Sequence, residues 1–411
     1  MEQFFKDPQT LLRLHEGPFG PYIESFAELL TDQGYARYSI RYQLRLVANF
    51  SRWLQQQHVT VNDLRPEHIG CYLQQRAQQR RIREGDAFAL QRLLDLLRQE
   101  GVMPEKKAPT VQTPAELLAD EFSSYLRQER TLAQTTVTFY LEFISRFLED
   151  RFADGEVDLS VLCAVDIVGF VQRQAVCLHS KRAKVMTTAL RCFLQYARYR
   201  GDIKLDLAAA VPTVANWTQA SIPRFLSPNQ VELVLFHCNR QTAIGRRDYA
   251  ILLLLARLGL RAGEVAALTL DDIHWEAGHI TIRGKGGQQA QMPLPGDVGE
   301  AIATYLKDGR PAVTSRRLFL RGRAPIDGFR TQMGVGSVVK HALARAGIDS
   351  PHKGAHLFRH TLATRMLGEG ASLAEIGELL RHRSPQTTTI YAKVDLTSLR
   401  ALALPWPGGE Q

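Results

Sequence analysis

The chain reads as a mainly α protein: two similar N-terminal helical bundles, then a larger helical domain that carries a small β-sheet. Three observations predict this. Helical spacing of apolar residues repeats between the first and second hundred residues, two loop-rich joints interrupt it, and a stretch around residue 285 alternates apolar and polar residues as strands do.

The repeat is specific in its positions. Ile40, Leu44, Val47 and Phe50 match Val137, Leu141, Ile144 and Phe147 at an offset of 97, and Leu64, Ile69 and Tyr72 match Leu162, Ile167 and Phe170 at 98. Leu90, Leu93, Leu94, Arg98 and Gly101 then match Leu190, Phe193, Leu194, Arg198 and Gly201 at 100. Any two amphipathic helices share a 3.6-residue period, but that period does not explain a shared helix-ending glycine. The joints are Met103–Pro114 and Ala210–Pro223, rich in proline, so the blocks run 1–106, 113–213 and 222–400, with a tail from 401 to 411.

In the third block Ser227-Pro228 caps its first helix, Asp248–Leu258 forms an apolar helix ended by Gly259, and Arg261-Ala-Gly-Glu264 opens another that runs through Leu268. HITIRGKGGQQAQMPLP reads as a hairpin whose tip is Gly284-Lys285-Gly286-Gly287. His356–Leu367 is a helix broken by Gly368 and Gly370. Ser372-x-x-Glu375 is a capping box for a helix Leu373–Arg381, and Ser384-Pro385 starts a short helix bearing Tyr391. Thr397–Leu404 is a further apolar helix candidate.

Composition narrows the partner. The net charge is +9, and from Asn216 onward 24 basic residues face 16 acidic ones, so this part holds eight of the nine excess charges. That suits a polyanion. Residues 111–215 are balanced, 12 basic against 13 acidic, so any DNA face there is local. Five scattered cysteines lack metal-ligand spacing and read as buried thiols of a reducing cytoplasm. No signal peptide is evident, and the longest apolar run is too short to span a bilayer. The expectation is a soluble cytoplasmic protein without membrane, metal, cofactor or small-molecule substrate.

The chemistry-bearing residues converge on one task. His356-x-x-Arg359, then His382, then Tyr391 nine residues on, combine cationic donors with a phenol. A phosphodiester gains negative charge as it becomes pentacoordinate, so fixed guanidinium and imidazole donors stabilise that state more than the ground state. Arginine can grip two phosphate oxygens at once. A positioned tyrosine can form a covalent phosphotyrosyl intermediate that keeps the energy of the broken bond.

This array resembles the C-terminal motif of the tyrosine recombinase family, the phage integrases and chromosome-dimer resolvases. Arg261-Ala-Gly-Glu264 looks like that family's Arg-x-Gly-Glu box, and Lys285 matches its hairpin lysine. One position departs: the family usually has Gly directly before the second histidine, and this chain has Arg381, which takes a left-handed backbone less cheaply. The turn is therefore expected to differ slightly, or the extra cation to touch DNA. The resemblance implies that Arg261, Arg359 and His382 bind the nonbridging oxygens, that His356 assists proton transfer around Tyr391, and that Lys285 protonates the 5′-oxygen; Glu264 supports Arg261. It also implies a core-binding bundle of SAM-like type in the second block. The last helix of that block offers Lys181, Arg182, Lys184, Arg191, Arg198 and Arg200 to DNA, and Arg381 is a further DNA-binding candidate. The implied activity is site-specific strand exchange on double-stranded DNA through a 3′-phosphotyrosine and a Holliday junction, by a homo-tetramer or an assembly with related recombinases. The alternatives are a type IB topoisomerase-like nicking-closing enzyme and a DNA-binding regulator or partner subunit on the same fold.

Overall fold

Side-chain caps set the starts of several helices, among them those that begin after Thr113, Ser227, Thr242 and Ser372. The computed structural model describes residues 1–103, 113–153, 155–214, 222–284, 287–395 and 399–400. Lys285, most of the first joint, half of the second and most of the Thr397–Leu404 helix candidate lie outside them. The chain divides into two compact units, Met1–Glu105 with Ser221–Gln411, and Lys106–Ala220.

In the first unit, α1 (Pro8–Leu14), α2 (Ile23–Asp32), α3 (Arg37–Gln56), α4 (Pro66–Gln79) and α5 (Asp86–Gln99) surround an apolar cluster that includes Phe26, Leu44, Val47, Phe50, Leu90 and Leu94. The second unit contains α6 (Pro114–Gln128), α7 (Gln134–Phe152), α8 (Ala164–Cys177) and α9 (Ser180–Arg200) around Phe122, Ile144, Phe147, Phe170, Leu190 and Phe193. Helices α2–α5 and α6–α9 run in matching order, and the matched apolar positions fill the two cores. Both series end on a left-handed glycine, Gly101 at φ 72° and Gly201 at φ 88°, a conformation only glycine takes without cost.

The remainder of the first unit is built on α11 (Ala243–Leu258). Residues Ala250–Leu255 are buried on every side, as the central helix of a core must be. Around it lie α10 (Pro228–Phe236), α12 (Ala262–Ala267), α13 (Gly296–Asp308), α14 (Gln332–Arg345), α15 (His356–Gly368) and α16 (Leu373–Leu379). Ser227 and Ser372 cap α10 and α16, each with a reciprocal bond from the N3 residue. Strands β1 (Ile273–His274), β2 (His279–Arg283) and β3 (Gln289–Pro293) pair antiparallel in that order. The β2–β3 register places Thr281 opposite Gln291 and Arg283 opposite Gln289. Ile280, Ile282 and Met292 face the core, which anchors β2 and β3 to the rest of the domain.

Three expectations need correction. Helix α11 starts at Ala243, where Thr242 Oγ1 accepts from the Gly245 N–H, five residues before the point at which the apolar run begins. The helix expected to run to Arg381 stops at Leu379, because Arg381 turns left-handed at φ 55°. The segment carrying Tyr391 is not one α-helix but two 3-10 turns, Pro385–Thr387 and Thr389–Val394, and Ser384 makes no side-chain cap. A fourth concerns the cysteines: Cys192 and Cys238 are buried, but Cys71, Cys163 and Cys177 are exposed. They lie on the solvent side or at the ends of α4 and α8, outside the apolar stripe.

Within the first unit the N-terminal helices meet a loop of the larger part. The Ile326 N–H donates to the Gln33 carbonyl at 2.8 Å. Gly34, at φ 73°, lies so close that a Cβ there would come within 2.6 Å of Ile326 Cγ1.

Candidate active site

Gly259 is where the site begins. It closes α11 at φ 58°, and a Cβ on it would meet Leu380 Cδ2 at 2.8 Å and Leu362 Cδ2 at 3.0 Å. That close approach brings the end of α11, the middle of α15 and the end of α16 to one point. The buried Arg359 guanidinium is fixed there, donating to the Gly259 carbonyl at 2.6 Å and to the Leu380 carbonyl. Burial, and then the charge of Arg261, hold its pKa down to about 10, which still leaves it cationic at neutral pH.

Arg261 stands at the N-cap of α12. Its N–H donates to Glu264 Oε2 at 2.8 Å and its guanidinium to Glu264 Oε1 at 2.7 Å. Burial alone would push the Glu264 carboxyl up, but the Arg261 N–H and the charges of Arg381 and Arg261 outweigh it and hold it below the usual range. The carboxylate therefore stays ionised, shared between two arginines, since Arg381 Nη2 reaches Oε2 at 2.9 Å. Arg381 adopts a left-handed backbone at φ 55°, and its side chain lies along Glu264 and the Met292 sulfur. Its charge is thereby spent inside the protein.

The tight turn at Arg381 delivers His382. Its N–H donates to the Gly377 carbonyl at 2.9 Å, and Nδ1 lies 2.7 Å from the Thr388 hydroxyl. Burial first, then Arg359 and Arg261, lower its pKa to about 4. Arg261, Arg381 and His382 form one wall of an open cleft whose other wall is the hairpin, at Gly284, Gln288 and Gln289. Lys285 follows Gly284 in the chain but lies outside the described residues.

Tyr391 packs behind this wall, 1% exposed, against Leu362, Ala363, Ile376 and Leu380. Burial raises its pKa, while Arg359 and Arg261 pull the other way. The group on its hydroxyl is His360, with Nδ1 at 3.0 Å. His356, expected beside the nucleophile, lies one helical turn back, its ring centroid 6.4 Å from that of His360. His360 was not singled out from the sequence. The available signal was its place four residues after His356, on the same helix face.

The α9 cations are less uniform than the sequence implies. Arg182 pairs with Glu142 at 2.5 Å and Arg198 with Asp206 at 3.2 Å, Arg200 pairs with Glu121, and Arg191 donates to the Val211 and Pro212 carbonyls. Lys181 and Lys184 are exposed. Among the described residues no group of three or more His, Cys, Asp or Glu side chains could hold a metal ion.

The sequence model of the phage integrase family matches residues 224–397. A relative from Sinorhizobium fredii, "Putative integrase/recombinase y4rA", is 50% identical over the whole of both chains. This chain belongs to the phage integrase family. A second family member, the tyrosine recombinase XerC of Anoxybacillus flavithermus, is 30% identical and aligns with 69% of this chain and 95% of its own. The fold is also that of the XerH site-specific recombinase solved on palindromic difH substrate as a post-cleavage complex. That structure covers 72% of this integrase-family chain and 98% of its own at 19% identity, with a TM-score of 0.55. No helix among the described residues is long and apolar enough to cross a membrane.

Proposed function

We propose that the protein is a site-specific DNA recombinase in which Tyr391 attacks a phosphodiester. The observation that carries this is the gathering of Arg261, Arg359, His382 and Tyr391, separated by up to 130 residues in sequence, around the one point where α11, α15 and α16 meet. Nothing in the core requires four such polar groups together. An anion with a developing charge does.

In this reading double-stranded DNA enters the cleft between the hairpin and the Arg261–His382 wall. Arg261 and His382 bind nonbridging oxygens, and Arg359 supports them from below. Tyr391 forms a 3′-phosphotyrosine, releasing a 5′-hydroxyl that Lys285 protonates as it leaves. Attack by a 5′-hydroxyl of the partner duplex reverses the step and creates a Holliday junction. Four protomers, or two with two related recombinases, complete the exchange. The family resemblance supports this sequence of events, and the full-length likeness to an integrase/recombinase supports a mobile-element role.

The test uses nicked suicide duplexes drawn from the DNA flanking the gene, scored for a denaturation-resistant protein–DNA adduct. Wild type should form the adduct and Tyr391→Phe should not, while both retain binding. An adduct from Tyr391→Phe, or none from wild type on any flanking duplex that it binds, would overturn the assignment.

A further inference from the structure

We propose that His360 is the catalytic base for Tyr391, taking the phenol proton as the tyrosine attacks. The inference rests on the reading of Tyr391 as nucleophile and adds the group that nucleophile needs. A neutral phenol must lose its proton as its oxygen bonds to phosphorus, and a base is useful only within hydrogen-bond reach of that proton. His360 meets this condition. Its Nδ1 is 3.0 Å from the hydroxyl, and the two rings sit edge to face with centroids 5.6 Å apart.

The charge states agree with the geometry. Burial is the first cause holding His360 at about 4, followed by His356, Arg359 and His352, so the ring is neutral at pH 7 and one nitrogen keeps a lone pair. Burial also keeps Tyr391 a phenol. In the tautomer with the ring proton on Nε2, which the proposal assigns, the Tyr391 O–H donates to Nδ1. The hydrogen bond to the Tyr391 hydroxyl is made by His360 and not by His356; burial first, then Arg359 and Arg261, lower the pKa of His356.

The step balances. As the Tyr391 oxygen–phosphorus bond forms and the phosphorus–O5′ bond breaks, the phenol proton passes to His360 Nδ1, giving an imidazolium. Lys285 separately delivers a proton to O5′. On rejoining, the attacking 5′-hydroxyl gives its proton back to Lys285 as its oxygen bonds to phosphorus, and the imidazolium returns its proton to the departing Tyr391 oxygen. Burial, then His356 and Arg359, make that imidazolium costly, which favours return of the proton on rejoining.

Single-turnover cleavage of the nicked flanking duplex by full-length His360→Ala and His360→Asn tests the assignment, with DNA affinity measured in parallel. General-base loss is worth on the order of 100-fold or more. His360→Ala should therefore cleave about 100-fold more slowly at unchanged affinity and recover part of the rate with added imidazole. His360→Asn, which restores an acceptor but no base, should stay slow. Replacing O5′ by sulfur, a leaving group that needs no proton, should leave the His360→Ala defect in place while rescuing Lys285→Ala. Wild-type or faster cleavage by His360→Ala would show the contact to be a resting latch or mere packing. A slow His360→Ala that imidazole does not restore, alongside a fully active His360→Asn, would reduce His360 to positioning. Both results leave Tyr391 intact as nucleophile, whereas failure of wild type to form an adduct strikes the earlier reading.

Discussion

At the scale of single residues, the site is a set of charges held by backbone carbonyls and one shared carboxylate. Arg359 donates to two carbonyls on different segments, a task for a planar fork that lysine cannot copy. Arg359→Lys should leave one carbonyl unpaired, costing about 1–3 kcal/mol, and should abolish detectable adduct. Unchanged melting and normal adduct would refute the fork. Glu264→Gln keeps shape but removes the charge between Arg261 and Arg381, and a slight misplacement of a phosphate-gripping group can cost on the order of 100-fold. A marked fall in cleavage at near-normal DNA affinity is expected; loss of affinity alone would place Glu264 in binding. The histidines set the acid limit. His360 and His382 are held at about 4 against an ordinary 6.5, so below pH 6.5 the unfolded chain binds protons that the folded one refuses. Stability present above that pH is lost as pH falls toward 4. Thermal melting across this window should show a falling midpoint, and a flat profile would mean that these rings are hydrated.

At the scale of elements, two left-handed residues decide the architecture of the site. Gly259→Ala places a Cβ against Leu380 and Leu362 and adds about 1–2 kcal/mol for the backbone conformation alone. It should lower the melting midpoint and weaken adduct formation together, since the Gly259 carbonyl also anchors Arg359. Arg381 shows the opposite arrangement: a residue ill suited to φ 55° is kept there, with its side chain ion-paired to the buried Glu264. The pattern of caps at Ser227 and Ser372 marked α10 and α16 in the sequence because caps act within four residues. The same pattern misjudged the end of α16 and the form of the Tyr391 segment. Those depend on a turn stabilised by Glu264, 117 residues away, and on packing against α15, which no local period records.

At the scale of the molecule, the first hundred residues and the last two hundred share a unit although a hundred others separate them in the chain. The contact at Gly34 and Ile326 is close enough to test. Gly34→Val should strain φ 73° and collide with Ile326, splitting a single melting transition into two or exposing the first hundred residues to protease. Unaltered melting and protease resistance would show that the N-terminal helices are held elsewhere. The repeat, the family array, the hairpin and the basic C-terminal half were all legible from residue order, because amphipathic period, capping and motif spacing are local. Only the tertiary structure decided that His360 rather than His356 meets the Tyr391 hydroxyl, that Arg381 spends its charge on Glu264, and that the first and third blocks join. Each depends on a contact between residues 31 to nearly 300 positions apart, and such contacts arise from how the helices pack.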